Sequence, residues 1–434
     1  MKEFQFRPSF IQIPALSSFN GEIRLPGSKS ITNRAFLIAA LAKGETRLHN
    51  LLRSDDTCYM GEALQKLGVK IEFSEDFTEA IVHGNGGPIS TAEPAELFLG
   101  NAGTAMRSLT AALSLGKGEF HLRGEERMSE RPIRDLVEAL SAIGADISYE
   151  ESEGYPPVCI KADGLKGGEV SVRGIISSQY LTALLICAPY CKAPLHIHVE
   201  GELISVPYVQ LTLSIMSSFG IDVRHDGMTD FYVPQGVYEA VGDFSVEGDA
   251  SSASYPLAAA AIAKGKVRVL GVGEQSCQGD VAFAEVLQKM GAKVTFGPDW
   301  MECDGTGCTL HGVDLDLNDI PDAAMTVSVL ALFADGPSRI SGIASWRVKE
   351  TDRIAAMTAE LRKVGADVRE TNDSITITPP VELQPATIET YNDHRMAMCF
   401  CLVALGGVPI KIMDPACVNK TYPQFFEDFN KLAK

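Results

Sequence analysis

The chain has no cysteine pair at CxxC spacing and no His/Cys group at the spacing of a structural zinc site. Its ten cysteines are scattered without the regularity of a disulfide framework. Cys187, Cys191, Cys399 and Cys401 lie in apolar, helix-like text, where a reduced core thiol is the ordinary role. Long hydrophobic runs are lacking too. The longest, Tyr255 to Ala263, is too short to span a bilayer as a helix. Met1 to Phe19 carries Lys2 and Arg7 but no continuous apolar core, so no signal peptide is expected. Positive charge is scarce: 38 Lys and Arg against 56 Asp and Glu leave a net charge of −18. That balance argues against nucleic acid or an anionic membrane as partner. Together these absences point to a reducing cytoplasm and no structural metal. Small anions remain open as ligands wherever the few basic residues converge.

What is present is ordinary in bulk and repetitive in detail. With 434 residues, 45% apolar and 22% charged, the chain should fold as at least two soluble domains. One pattern recurs: a β-like segment, a polar turn, an apolar helix, a second β segment, then a second helix ending in a hydrophobe and Gly. Those endings are Leu67-Gly68, Ile143-Gly144, Phe219-Gly220, Met290-Gly291 and Val364-Gly365, spaced by 76, 76, 71 and 74 residues. Gly just past a helix end is the expected left-handed cap. A sixth, shortened copy fits Ile388 to Lys434. The reading is six copies of one β/α subdomain, three to a globule.

The first helix of each copy opens on small polar or acidic residues and is apolar nearly all round. The openings are Ser28-Lys29-Ser30, Asn101 to Thr104, Ser177-Ser178-Gln179, Gly248 to Ser252, Pro321 to Ala324, and Asn392 to Arg395. Such helices must be buried. Run in parallel, they would aim several positive dipole ends at one face, and two such faces across a cleft would concentrate a field for anions. The chain is expected to cross between domains at Pro26-Gly27 and within Gly242 to Gly248, so that one domain can close on the other.

The stretch Leu25 to Phe36 is the clearest anion signal. Ser28 or Ser30 can cap a helix there, with Lys29 as a point charge and Arg34 as a bidentate fork. It is not a Walker A loop, because Ser28 stands where Gly is needed. Glu125 to Pro132 reads as a loop into a helix with Pro near its start, and Arg347 to Arg353 as another, with Thr351 or a neighbour as cap. Taken singly, each has a bland reading: a solvated helix start, a plain N-cap at Asp322, a structural His394, an unremarkable Lys420.

Taken together they do not. Leu25 to Arg34, Gly100 to Arg107, Glu130-Arg131-Pro132, Ser177-Ser178-Gln179, Gly248 to Ser252, Arg347 to Arg353 and Tyr391 to Met396 fall in order over nearly the whole chain. In these seven motifs the chain resembles the 5-enolpyruvylshikimate-3-phosphate synthases, members of the enolpyruvyl transferase family. The resemblance implies an α/β fold: a two-domain inverse α/β barrel of six βαβαββ repeats, three per domain. Residues 1–27 with 248–434 would form one domain and 28–247 the other. It implies transfer of the enolpyruvyl group of phosphoenolpyruvate to the 5-hydroxyl of shikimate 3-phosphate, by a monomer without metal or cofactor.

By motif position, the resemblance places Lys29, Asp322, Glu350 and His394 in the catalytic set. Shikimate 3-phosphate would meet Lys29, Ser30, Arg34, Ser177, Ser178, Gln179, Ser205, Tyr208, Asp322 and Lys349. Phosphoenolpyruvate would meet Lys29, Gly103, Arg131, Gln179, Arg353, Arg395 and Lys420. Two departures stand out: Ser108 replaces the usual Pro and Ser345 the usual Asn, which is expected to alter the phosphoenolpyruvate pocket and one shikimate-phosphate contact. The related UDP-N-acetylglucosamine enolpyruvyl transferases carry a cysteine on the Glu125–Arg131 loop. No cysteine occurs here between Cys58 and Cys159, which disfavours that acceptor. A catalytically silent anion-binding relative is disfavoured by the joint presence of Lys29, Asp322, Glu350 and His394.

Overall fold

A helix that is apolar on every side is stable only when it is surrounded, and that requirement organises this chain. The computed structural model describes residues 8–434. Among them are twelve α-helices in six pairs: α1 (Lys29–Leu41) and α2 (Asp55–Lys66), α3 (Gly103–Ser114) and α4 (Arg134–Ala142), α5 (Ser178–Cys187) and α6 (Val206–Ser218), α7 (Ala250–Ile262) and α8 (Phe283–Lys289), α9 (Ala324–Leu330) and α10 (Arg353–Lys363), α11 (His394–Cys401) and α12 (Phe425–Leu432). The first helix of each pair is buried along nearly its whole length. Most of the second helices bury one stripe only. Five of the second helices end on the predicted hydrophobe, and the glycines that follow take φ between 85° and 107°. That conformation costs Gly little and other residues about 1 kcal/mol or more, so the helices stop there.

Each helix pair is threaded through one small sheet. Around α3 and α4, Ala95–Phe98 runs parallel to Lys117–Arg123, which is antiparallel to Val158–Asp163, itself antiparallel to Asp146–Tyr149. Four other sheets repeat this order. The sixth has three strands, with the N-terminal Phe10–Ile13 antiparallel to Ile410–Met413 and thereby completing the shortened last copy. Along the chain each copy reads strand, helix, strand, helix, strand, strand.

Two copies are not contiguous, contrary to the simple repeat reading. Gly21–Arg24, directly before α1, pairs in parallel with Lys266–Leu270. Gly242–Ser245, directly before α7, pairs in parallel with Lys43–His49. A strand takes the edge its hydrogen bonds can reach, and local sequence carries no record of which edge is open. One compact unit accordingly consists of the described residues up to Pro26 with Gly248–Lys434, and the other of Gly27–Glu247. Each has its own apolar core, one centred on α1, α3 and α5 and the other on α7, α9 and α11. At the crossings, the Ser28 N–H donates to the Glu247 carbonyl at 2.8 Å in one unit, and the Asp249 N–H to the Pro26 carbonyl at 2.8 Å in the other.

Candidate active site

In the unit holding Gly248–Lys434, charged side chains from three helix starts and two turns converge on Asp322. Asp322 lies just before α9, whose N-cap is Ala323, and its side chain does not cap the helix. Its carboxylate is used otherwise. Oδ1 accepts from Lys349 Nζ at 3.0 Å and Arg353 Nη1 at 2.9 Å, and Oδ2 from Arg395 Nη2 at 2.8 Å. Burial pushes the Asp322 carboxyl up, but Arg395, Lys349 and Arg353 outweigh it and hold the group well below the ordinary range. It is therefore ionised at neutral pH.

Arg353 opens α10 and is 1% exposed. Its Nη2 donates to Glu350 Oε2 at 2.9 Å, and its Nε to Asp393 Oδ2 at 2.7 Å. Burial would lower its basicity, yet Asp393, Glu350 and Asp322 together raise it. Asp393 also accepts from the Arg395 N–H at 2.9 Å and so caps α11. Lys420 Nζ, on the turn Pro415–Lys420, stands 4.0 Å from Glu350 Oε1. His394 is fully buried, its Nδ1 3.5 Å from Asp393 Oδ1. Four cations (Lys349, Arg353, Arg395, Lys420) thus face three carboxylates (Asp322, Glu350, Asp393) in one largely buried charge cluster.

The Gly27–Glu247 unit gathers the remaining predicted residues. Lys29, at the first position of α1, has Nζ 3.6 Å from Asp56 Oδ2. Ser28 is the N-cap by backbone geometry, but its buried hydroxyl makes no capping bond, and Ser30 lies inside the helix. Arg34 is buried. Its Nε donates to Thr212 Oγ1 at 2.8 Å, its Nη2 to the Tyr208 carbonyl at 3.3 Å, and its Nη1 to the Ser30 carbonyl at 3.0 Å. Burial pushes it down to about 10, with Tyr208 opposing the shift. Ser177 caps α5 by accepting from the Gln179 N–H at 3.3 Å, with Ser178 buried beside it. Ser205 begins α6 in the left-handed region, at φ 55°. That strained backbone for a non-glycine residue turns the Ser205–Tyr208 segment over Arg34.

Around the start of α3, Arg131 Nη1 donates to the Asn101 carbonyl at 2.9 Å and to its side-chain Oδ1 at 2.8 Å. A Cβ on Gly103 would stand 2.6 Å from Arg131 Nη2 and 2.8 Å from Arg107 Nη1, so any side chain there would push both guanidiniums from their present positions. The Pro132 carbonyl accepts from Arg107 Nη2 at 2.8 Å and Tyr180 Oη at 2.7 Å. Pro132 itself stands ahead of α4, whose N-cap is Ile133, rather than inside its first turn. Ser108 is buried within an unbroken α3, and Ser345 lies half-buried on the turn Ala344–Val348.

Four functional neighbours escaped the sequence reading as site residues: Asp56, Arg107, Asp393 and Tyr255. The last accepts from Arg395 Nη1 at 3.0 Å. Asp393 had a visible signal, an acidic residue directly before an apolar helix, but its service to Arg353 forty positions earlier had none.

Comparison with known proteins covers nearly the whole chain. Residues 13–429 match the family model described as EPSP synthase (3-phosphoshikimate 1-carboxyvinyltransferase). A 3-phosphoshikimate 1-carboxyvinyltransferase from Marinomonas sp. (strain MWYL1) is 57% identical over 98% of this chain and 99% of its own length. Another from Sulfurovum sp. (strain NBC37-1) is 57% identical over 96% and 97%. The solved EPSP synthase from Acinetobacter baumannii superposes with a TM-score of 0.81 at 27% identity, covering 98% of both chains. The enolpyruvyl transferase NikO from Streptomyces tendae, at 18% identity and TM-score 0.78 over 98% of both, shares the fold. The fold is the inverse α/β barrel, and the chain belongs to the EPSP synthase (3-phosphoshikimate 1-carboxyvinyltransferase) family.

Proposed function

We propose that the chain catalyses one transfer: the 5-hydroxyl of shikimate 3-phosphate takes the enolpyruvyl group of phosphoenolpyruvate, and phosphate leaves. The observation that carries the residue assignment is the Asp322 carboxylate held by Lys349, Arg353 and Arg395. Addition requires a proton at the vinyl CH2 carbon and loss of the hydroxyl proton as the oxygen attacks C2, which yields a tetrahedral phosphate-bearing intermediate. Elimination removes a proton from the new methyl group and expels phosphate, and the proton traffic reverses. Asp322 takes the hydroxyl proton in the addition and gives a proton to the departing phosphate in the elimination; Glu350 or Lys29 gives a proton to the methylene carbon and takes one back from the methyl group.

An ionised carboxylate tied to three cations is a weak base. Arriving phosphate and carboxylate groups would draw those cations to themselves, and Asp322, losing partners, would become basic as the substrates assemble. Both ligands are multiply anionic, so Lys29, Arg34, Arg131, Lys349, Arg353, Arg395 and Lys420 are needed to offset their repulsion. Shikimate 3-phosphate is assigned to Lys29, Ser30, Arg34, Ser177, Ser178, Gln179, Ser205, Tyr208, Asp322 and Lys349. Phosphoenolpyruvate is assigned to Lys29, Gly103, Arg131, Gln179, Arg353, Arg395 and Lys420. The catalytic set is Lys29, Asp322, Glu350 and His394, the last fully buried with Nδ1 3.5 Å from Asp393 Oδ1. No described helix is long and apolar enough to cross a membrane. We read the protein as a cytoplasmic monomer acting on these two small anions.

The test is phosphate release with shikimate 3-phosphate and UDP-N-acetylglucosamine offered as competing acceptors. Release dependent on shikimate 3-phosphate alone is expected. Release dependent on the nucleotide sugar, or none with either, overturns the reading.

A further inference from the structure

Sequence spacing holds no set of metal-ligating side chains, but a sheet brings together residues that spacing cannot. On the strand Lys117–Arg123, Glu119 and His121 are two positions apart and share a face. Cys159, on Val158–Asp163, is the direct cross-strand partner of His121. Ser148 is paired with Cys159 on the other side, and Glu150, two positions further along the chain, lies on the same face. The ligand atoms of Glu119, His121 and Cys159 all lie within 4.8 Å of one another. Both ring nitrogens of His121 face carboxylates, Nδ1 with Glu150 Oε1 at 2.5 Å and Nε2 with Glu119 Oε1 at 3.0 Å. A neutral imidazole has a single N–H and can donate to only one of them.

We propose that Glu119, His121 and Cys159 form a binding site for a borderline divalent cation such as Zn2+, with Glu150 orienting the imidazole. The cation replaces a proton between His121 Nε2 and Glu119, while Nδ1–H keeps its bond to Glu150, the carboxylate–histidine–metal arrangement that fixes a ligating ring. Cys159 supplies the thiolate, which selects zinc-like cations over magnesium or calcium. Burial, Glu119 and Glu150 all raise the Cys159 thiol above its ordinary value. A dication reverses that local charge, and the thiol proton passes to solvent as the S–metal bond forms. Tetrahedral zinc with bonds of about 2.0–2.3 Å needs ligand atoms about 3.5 Å apart, so no pair within the 4.8 Å limit need shift by more than about 1.3 Å. Glu119, 39% exposed at its side chain, has the freedom to do so. Two cations lie nearby: Lys161, the direct cross-strand partner of Glu119, whose charge acts on Cys159, and Arg123, which pairs with Glu150 Oε2 at 3.9 Å and Glu96 Oε2 at 3.4 Å.

The test uses the tag-free full chain stripped with chelator, then titrated with Co2+ and separately with Zn2+ against a chromophoric competitor. A thiolate-to-cobalt charge-transfer band is expected, lost in Cys159→Ser. Zinc affinity should fall about tenfold or more in His121→Ala and in Glu119→Gln, and about tenfold in Glu150→Gln. Glu119→Gln alters a half-exposed carboxylate, so it still reads out should Cys159→Ser fail to fold. Enolpyruvyl transfer by each variant should match that of the parent, since none of these residues is assigned to the substrates. No band with the parent chain, a band that survives Cys159→Ser, or zinc affinity unmoved by Glu119→Gln and His121→Ala overturns the site.

Discussion

Arg353 Nε stands 2.7 Å from Asp393 Oδ2, with both side chains withdrawn from solvent. This pair ties the start of α10 to the start of α11, and the same guanidinium reaches Asp322 and Glu350. One buried cation therefore sets the positions of three carboxylates. Removing Asp393 would leave Arg353 short of a partner in a dry site, at a cost of about 3–5 kcal/mol. Asp393→Ala should lower the unfolding free energy of its unit by that amount in urea titrations, and an unchanged midpoint contradicts the account.

Asp322→Asn preserves shape and removes the charge. Loss of a positioned base typically costs about 10^2–10^4 in rate. Steady-state assays should show kcat reduced in that range, while calorimetry still detects shikimate 3-phosphate binding. Near-normal kcat removes Asp322 from the proton path.

Gly103→Ala places a methyl 2.6 Å from Arg131 Nη2 and 2.8 Å from Arg107 Nη1. The guanidiniums are side-chain ends and can retreat, so the fold should survive with about 1 kcal/mol lost or less. The phosphoenolpyruvate KM should rise about tenfold or more, with the shikimate 3-phosphate KM nearly unmoved. Equal shifts in both constants would show that Arg131 does not address phosphoenolpyruvate alone.

The pH dependence of stability follows from Asp322. Burial raises its carboxyl, the three cations overcome that, and the folded value lies well below the unfolded one. Stability from this group is fully present above the unfolded value, about 3.9. It is lost progressively as pH falls below that point toward the folded value. Denaturant midpoints of the parent and Asp322→Asn should therefore converge as pH falls below 4, and parallel curves through that range refute the linkage.

Trp346, fully buried, donates Nε1–H to the Pro321 carbonyl at 2.7 Å, one residue before Asp322. Trp346→Phe should cost about 1–3 kcal/mol for the orphaned carbonyl. If the bond also aims Asp322, kcat should fall at temperatures where the variant stays folded. Unaltered kcat would confine Trp346 to stability.

Much of this architecture is local information, and so it was legible. Hydrophobe-Gly endings, all-apolar helices and polar helix openings each report on a few consecutive residues. Their meaning is set by backbone sterics and burial wherever they occur. Lys29 and Arg34 could be named from fixed charge at a capped helix start, whereas Arg131, Asp322, Glu350, Arg353 and Arg395 could be named only because their motifs resemble those of the enolpyruvyl transferases. The tertiary structure alone decided who pairs with whom. It moved Gly21–Arg24 and Gly242–Ser245 onto distant strands, turned Asp322 from a cap into a triple acceptor, and set His121 opposite Cys159. Those outcomes depend on which edges and charges the rest of the chain leaves open, a long-range property that no window of sequence contains.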